Sequence, residues 1–286
     1  MSYFAPYTLN IGGNLVEVAK PLVMGILNVT PDSFYPGSRC GCDDETIRRR
    51  VRQIAEEGGR IIDIGGYSSR SMADDISPEE EFSRLEKGLK IIAEETPGMI
   101  VSVDTFRASV ARRCVEEYGV GIINDISSGQ LDPDMIPTVG QLKVPYIMMH
   151  MRGNPHTMMQ LTDYDNLVAD MILFFSKKIN EAAMAGINDI IIDPGFGFSK
   201  TLEQNYELLA GLDSFKLLEL PMLVGVSRKS MIYKLFGTTP ENSLNGTTVI
   251  NTLSLLKGAS ILRVHDVRQA VEAIAIVEKM EEYSAG

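Results

Sequence analysis

The chain has 286 residues, of which 44% are hydrophobic and 23% charged, and its formal net charge is −11. This length and composition are typical of a globular enzyme with the size of one barrel domain. The negative charge argues against a broad nucleic-acid footprint or an anionic-membrane surface, and no apolar run approaches the roughly 20 residues that a membrane-spanning helix needs.

The N-terminal segment and the cysteines indicate a cellular compartment. Residues 1–20 lack the basic and apolar regions of a secretory signal. Three cysteines occur, Cys40, Cys42 and Cys114, without a second Cys/His pair at the spacing of a metal site. We therefore expect free thiols and a cytoplasmic protein.

The first predicted element is a short hairpin within residues 1–20, marked by the turn sequence NIGGN at residues 10–14. Short hydrophobic runs then alternate with amphipathic helical stretches. Eight of these runs are near-continuous, as in strands that are buried on both faces. They span residues 21–29, 60–66, 99–105, 121–126, 145–151, 189–195, 221–227 and 261–265.

Helices are predicted between the strands, for example over residues 43–57, 78–95 and 164–185. Eight strand–helix units without a break in composition predict one α/β domain over residues 1–286, a (β/α)8 TIM barrel with residues 1–20 as an N-terminal extension. A doubly wound open sheet is the alternative. It usually has fewer strands and often a G-x-G-x-x-G turn, which does not follow the first strand here.

Polar residues stand at the carboxyl ends of all eight predicted strands. In a barrel these ends lie at one face, where catalytic groups collect. A helix cap or a turn explains any one of them equally well. All eight together predict a shared pocket, because polar groups on buried strands are costly unless they are satisfied or used. They are Asn28, residues 65–70, Asp104, Asn124 with Asp125, His150, Asp193, residues 227–230, and Arg263 with His265.

The cations at these strand ends indicate an anion site. Lys229, Arg263 and His265, together with Arg70, are suited to a phosphate or diphosphate. The predicted helix that begins at Lys229 and Ser230 adds N–H groups that favour an anion.

The acceptors among the strand ends indicate a second ligand group. Asp104, Asn124 and Asp193 suit a ring that presents adjacent N–H donors, such as an aminopyrimidinone. The residues alone therefore predict a donor-rich heterocycle at the floor of the pocket and an anion at its rim, without naming the reaction.

Eight motifs, in this order and at this spacing from about residue 10 to 280, resemble the signatures of the dihydropteroate synthases. They are NVTPDSF at 28–34, GGYSSR at 65–70, SVDT at 102–105, INDI at 123–126, MHMRGNP at 149–155, DPGFGF at 193–198, SRKSM at 227–231 and RVHD at 263–266.

The resemblance implies a transferase of folate biosynthesis. It would condense (7,8-dihydropterin-6-yl)methyl diphosphate with 4-aminobenzoate to give 7,8-dihydropteroate and pyrophosphate. The diphosphate would leave first, and the aniline nitrogen would attack a cationic pterin methylene. The resemblance also implies Mg²⁺ as cofactor, a homodimer, and inhibition by sulfonamides.

The resemblance assigns roles by position. The catalytic residues would be Asn28, Asp104, Asp193, Lys229, Arg263 and His265. The pterin would contact Asp104, Asn124, Met149, Asp193, Lys229 and Arg263. The diphosphate would be held by Asn28, Arg70, Arg263 and His265, with Mg²⁺ at Asn28. The 4-aminobenzoate site would comprise Phe34, Ser69, Arg70, Phe198, Lys229 and Ser230.

Two loops depart from the family pattern. Residues 69–72 read SRSM where TRPG is usual, so that Ser71 replaces a stiffening proline, and Tyr35-Pro36 replaces a common Ser-Asp pair. We expect these changes to bear on 4-aminobenzoate affinity and sulfonamide sensitivity rather than on the reaction.

Two alternative functions remain. One is a methyltetrahydrofolate-binding methyltransferase domain, which would lack the NVTPDSF loop and the SRKS anion site. The other is a non-catalytic pterin-binding paralogue.

Overall fold

The structure, a computed structural model, describes residues 4–30, 43–68 and 75–284. It begins with an antiparallel hairpin of β1 (Tyr7–Ile11) and β2 (Asn14–Val18). Gly12 and Gly13 form the turn with φ of 58° and 85°, a conformation that glycine adopts without steric cost. The predicted hairpin is confirmed.

Eight parallel strands form the sheet that follows, and each lies inside its predicted run. They are β3 (Leu22–Asn28), β4 (Ile61–Gly65), β5 (Ile100–Asp104), β6 (Ile122–Asp125), β7 (Tyr146–Met149), β8 (Ile190–Asp193), β9 (Leu223–Val224) and β10 (Ile261–Val264). Their order is β8-β7-β6-β5-β4-β3-β10-β9. A parallel bridge between Ile192 and Met222 joins the two edges, so the predicted barrel is confirmed.

Helices surround this barrel. They are α1 (Asp44–Glu56), α2 (Pro78–Glu95), α3 (Ala108–Tyr118), α4 (Met135–Leu142), α5 (Leu167–Met184), α6 (Leu202–Ala210), α7 (Ser230–Leu235), α8 (Leu244–Leu256) and α9 (Val267–Ser284). Helix α5 was predicted to begin at residue 164, which is three residues early. Asn166 has extended backbone and caps α5 by accepting a hydrogen bond from the Ala169 amide.

The amino-terminal end of the barrel is closed by apolar packing. Leu9 and Val18 of the hairpin are buried against residues near the starts of the barrel strands. These are Met24, Ile61, Ile122, Ile147, Ile191, Leu223 and Ile261, each 0% exposed. The carboxyl end of the barrel is therefore where a ligand can enter.

Two sequence expectations concern the cysteines and the membrane. Burial raises the pKa of Cys114 to about 12, and its thiol forms no disulfide; Cys40 and Cys42 lie outside the described residues. In the part of the chain that the structure describes, no helix is both long enough and apolar enough to cross a bilayer.

Candidate active site

A cavity opens at the carboxyl ends of the strands, with about 1150 Å³ of space that includes open solvent. Its wall contains seven of the residues predicted for the site: Asn28, Asp104, Phe198, Lys229, Ser230, Arg263 and His265. Predicted residues from five barrel strands, and from the loops that follow them, thus share one cavity.

Arg263 connects two carboxylates at the floor of this cavity. Its Nε donates to Asp63 Oδ2 at 2.6 Å, and its Nη2 donates to Asp104 Oδ2 at 2.7 Å. A guanidinium carries its donors in a rigid planar fork, so two partners at these distances fix both its position and its plane. Asp104 keeps 26% of its side chain exposed, which leaves it accessible to a ligand.

Asp63 is a site residue that the sequence reasoning missed. It is 0% exposed and also accepts a hydrogen bond from Asn124 Nδ2 at 3.2 Å, so one carboxylate orients both Arg263 and Asn124. The signal that could have revealed it is a charged residue in the middle of an otherwise apolar strand, IIDIG. A buried carboxylate requires a partner, and the partner here is in the pocket.

Burial shifts the pKa values of the ionisable residues at the floor. Burial raises the pKa of Asp104 to about 7, although the Arg263 charge opposes this shift. Burial also raises the pKa of Asp193, against the opposing charge of Lys229. Burial in turn lowers the pKa of Lys229 to about 8, while Asp193 counteracts it. Two acids and one base at these strand ends therefore have pKa values displaced toward neutrality, as is frequent at functional sites.

Lys229 stands at the N-terminus of α7 and reaches toward the loop after β8. Its Nζ donates to the Phe196 carbonyl and lies 4.7 Å from the centre of the Phe198 ring. Phe198 itself lines the cavity. The lysine thus joins the acidic floor to an aromatic wall.

His265 lies at the rim beside Ser227. Its Nδ1 is 3.0 Å from Ser227 Oγ, and its backbone amide donates to the same oxygen at 3.1 Å. Burial, together with the charges of Arg50 and Arg263, holds the pKa of His265 well below its usual range. This direction favours the neutral imidazole, which can take part in hydrogen bonds without carrying charge.

The prediction that polar groups at all eight strand ends point into one pocket is wrong for two residues, Asp125 of β6 and His150 after β7. Side chains alternate across a strand. Asn124 faces inward, so Asp125 faces the helices and accepts from Tyr146 Oη at 2.6 Å. At the end of β7, His150 likewise points outward, and its ring meets Phe174 edge-on at 4.9 Å.

Arg228 also departs from the predicted arrangement. Its guanidinium does not serve the anion site, because it forms a two-pronged ion pair with Asp266 at 2.8 Å for both contacts. The remaining nitrogen donates to the carbonyls of Pro240 and Glu241. Arg228 therefore holds the loop after α7 in place.

Three predicted pterin residues are almost completely buried near the carboxyl ends of β6, β7 and β8. Asn124 is bonded to Asp63, and Asp193 accepts from the Gly195 amide at 2.8 Å. Met149 is 3% exposed and packs with Met151 and other apolar residues. The remaining predicted residues, Phe34, Ser69 and Arg70, lie outside the described residues, as do Ser71 and the Tyr35-Pro36 pair.

A magnesium site would depend on few protein ligands. Within residues 4–30, 43–68 and 75–284, no group of three or more His, Cys, Asp or Glu side chains could hold a metal ion. The Asn28 amide oxygen lies next to Gly65, where an added Cβ would come within 3.5 Å of it and 3.8 Å of Asp104 Oδ2. The glycine thus leaves room of about one methyl group beside two oxygen atoms that can act as metal ligands.

Comparison with known proteins identifies close relatives. The family model described as pterin binding enzyme matches residues 24–265. The dihydropteroate synthase of Escherichia coli K12 is 40% identical over 93% of this chain and 94% of its own length. That of Synechocystis is 38% identical over 98% and 97%.

Solved structures agree with these relatives. The Yersinia pestis dihydropteroate synthase in a sulfonamide drug complex superposes with a TM-score of 0.90 at 37% identity, covering 96% of this chain and 99% of that one. The Xanthomonas albilineans enzyme with 4-aminobenzoic acid superposes with a TM-score of 0.85 at 36% identity, covering 97% and 99%.

Proposed function

The chain belongs to the pterin-binding enzymes as a dihydropteroate synthase, and we propose from this premise how its residues divide the work of the reaction. The reaction joins (7,8-dihydropterin-6-yl)methyl diphosphate to 4-aminobenzoate and releases pyrophosphate. The methyltransferase alternative has no support among these relatives. One observation carries the proposal. At the floor of a cavity with an aromatic wall, Arg263 donates hydrogen bonds to both Asp63 and Asp104.

The pterin ring is proposed to lie on the floor. Asp104 and Asp193 would accept hydrogen bonds from the ring N–H groups, with Asn124 held in place by Asp63. Arg263 would lie against the ring, because Asp63 and Asp104 fix its guanidinium plane. Carboxylates at this position also stabilise the positive charge that develops when the diphosphate leaves.

The diphosphate is proposed to lie at the rim, near Asn28 and His265. The bond between the pterin methylene carbon and the diphosphate oxygen breaks, and the electron pair departs with the diphosphate. The aniline nitrogen then forms a bond to that carbon and loses a proton. Because no side-chain nucleophile takes part, the protein contributes mainly orientation and electrostatic stabilisation.

Magnesium is proposed as the cofactor, and the donor set fits it. Mg²⁺ usually keeps several waters and uses one or two protein oxygens together with substrate phosphates, so the Asn28 oxygen beside Gly65 is sufficient. When bound, the ion would neutralise charge on the departing diphosphate.

The 4-aminobenzoate is proposed to bind between the aromatic wall and the loops that follow β3 and β4. Phe198, Lys229 and Ser230 line this part of the cavity, and Phe34, Ser69 and Arg70 are proposed to complete it. Sulfonamides are proposed to compete for the same place, as the complex of the Yersinia pestis relative suggests.

Steady-state synthesis of dihydropteroate, measured with each substrate varied in turn, tests this division. Asp104→Asn should raise KM for the pterin diphosphate, whereas Phe198→Ala should raise KM for 4-aminobenzoate. Leu15→Ala, at a position 79% exposed on the hairpin at the opposite end of the barrel, is the control and should change neither. Pterin binding without any product would instead indicate the non-catalytic paralogue.

A homodimer is proposed, with α8 and α9 as its surface. Val249 and Leu253 are one helical turn apart on α8 and are 51% and 42% exposed. Ile276 and Met280 repeat this spacing on α9, at 67% and 41%. Sedimentation should show a dimer that Val249→Arg dissociates, and a monomeric wild-type protein would contradict the proposal.

A further inference from the structure

Lys200 is a buried cation for which the reaction described above has no role. It is 2% exposed and lies behind the cavity wall. Its Nζ is 3.0 Å from the Gly195 carbonyl, 3.0 Å from the Phe198 carbonyl and 3.2 Å from His150 Nδ1. A lysine ammonium has three N–H donors, and these three acceptors use all of them.

The burial of this ammonium has a free-energy cost that packing does not explain. Among the described residues, no carboxylate forms a salt bridge with Lys200. Burial lowers its pKa to about 7, and the Asp193 charge opposes this shift. His150 does not repel the ammonium, because burial lowers the pKa of its ring to about 2, but the neutral ring supplies no counter-charge. A buried amine with no salt bridge depends on its hydrogen bonds, and here the two carbonyls and the His150 ring provide them.

The loop of residues 195–199 is what these hydrogen bonds hold. Gly195 has a φ of 69°, and an added Cβ would lie 2.2 Å from the His150 carbonyl, so the loop passes very close to the end of β7. Tyr164 Oη donates to the Ser199 carbonyl at 3.0 Å, and the Arg152 amide donates to Ser199 Oγ at 3.1 Å. The loop is thus tied from the helix side of the barrel.

The same loop forms part of the cavity wall on its other side. Phe198 presents its ring to the cavity, 4.7 Å from Lys229 Nζ. Lys229 in turn donates to the Phe196 carbonyl. One lysine therefore holds loop carbonyls from behind, and the other holds a neighbouring carbonyl from within the cavity.

We propose that Lys200 is a positioning residue for the 4-aminobenzoate site, acting through Phe198 and Lys229 without touching a substrate. The inference rests on the proposed function, because it takes Phe198 as a wall of that site. Without the ammonium group, the Gly195 and Phe198 carbonyls lose a shared donor and must turn to find others. The Phe198 ring then moves, and a displacement of about 1 Å in a positioning group can cost about a hundredfold in rate.

Kinetics of Lys200→Met with each substrate varied separately test the inference. We expect KM for 4-aminobenzoate to rise at least about tenfold. KM for the pterin diphosphate should rise by a clearly smaller factor, because Asp63, Asp104 and Arg263 lie on other strands, and only Asp193 and Lys229 among the bonded floor residues contact this loop. Lys200→Arg keeps the charge and the donors and should recover part of the loss. An equal rise in both KM values, or no rise, would overturn the proposal.

A second pair of variants covers the case in which Lys200→Met does not fold. Tyr164→Phe removes one hydrogen bond to the same loop and should raise KM for 4-aminobenzoate in the same direction by a smaller factor. Tyr118→Phe is the matched control, since its hydroxyl bonds Glu86 between α3 and α2, away from the cavity. Equal behaviour of the two tyrosine variants would count against the inference.

Phe198→Ala separates this inference from the proposed function on which it rests. If Phe198→Ala leaves KM for 4-aminobenzoate unchanged, the assignment of the aromatic wall fails and the inference fails with it. If Phe198→Ala raises that KM but neither Lys200→Met nor Tyr164→Phe does so, the assignment stands and only the positioning role of Lys200 is refuted.

Discussion

Replacing Asp63 by asparagine should weaken pterin turnover although the side chain touches no solvent. The substitution keeps the size of the residue but removes the charge that Arg263 and Asn124 both bond. A hydrogen bond to a charged group contributes about 1.5–3 kcal/mol. If that contribution orients Arg263 for the reaction, kcat/KM for the pterin diphosphate falls by about 10- to 150-fold.

The same variant should also shift the pH profile. Asp104 has a raised pKa because it is buried and, to a smaller extent, because the negative charge of Asp63 lies nearby. Without that charge, Asp104 ionises at lower pH, so an acid limb that reports its ionisation should move to lower pH. A merely structural role for Asp63 would reduce activity without this shift.

The assay is kcat/KM for the pterin diphosphate between about pH 5 and 9, with circular dichroism to show that the variant is folded. Ser102→Ala is the matched control. Ser102 lies directly opposite Asp63 in the register of β4 and β5, and its buried hydroxyl has no hydrogen-bond partner among the described residues. It should change kcat/KM by no more than about twofold. A folded Asp63→Asn protein with the wild-type rate and pH profile would refute the reasoning.

Three further predictions concern the site and its support. Burial raises the pKa of Asp104 to about 7, so pterin affinity should increase with pH through neutrality, and binding should release a proton. Calorimetry in two buffers would detect this proton, and a pH-independent affinity would contradict the prediction. Asp193→Asn should cripple pterin binding by about tenfold or more, and wild-type turnover would overturn the assigned floor. Arg228→Met should lower the free energy of unfolding by about 3–5 kcal/mol by leaving Asp266 without its partner. Lys279→Met, at an exposed ion pair, should cost at most about 1 kcal/mol in the same urea titration, and equal losses would argue against the buried pair.

The fold was predictable because strands that are buried on both faces are largely apolar and appear in the sequence as near-continuous hydrophobic runs. Each of the eight strands lies inside its predicted hydrophobic run. The largest difference is β9, which has only two residues, Leu223–Val224, within a run predicted over residues 221–227. Directly after β9 the chain reaches the cavity, where Gly225 and Ser227 form part of the wall.

The site was predictable in location but not in detail. Polar strand ends identified the correct face, yet the pattern did not separate inward Asn124 from outward Asp125, because the facing of a side chain depends on register. Asp63 was missed because it lies in the middle of β4, two residues before the strand end, and only strand ends were considered. Lys200 follows a glycine-rich loop, where a lysine is usually exposed, and only the three-dimensional structure shows its partners.

The apolar side chains that close the amino-terminal end of the barrel constrain the order in which ligands enter and leave. With the hairpin residues Leu9 and Val18 sealing one end, the mouth at the carboxyl ends of the strands serves as both entrance and exit. A ring on the floor must arrive before a second ligand covers it, and it can depart only after that ligand has gone or as part of the same molecule. Condensation joins the pterin and the 4-aminobenzoate into one product, so that, apart from the pyrophosphate, a single molecule has to leave.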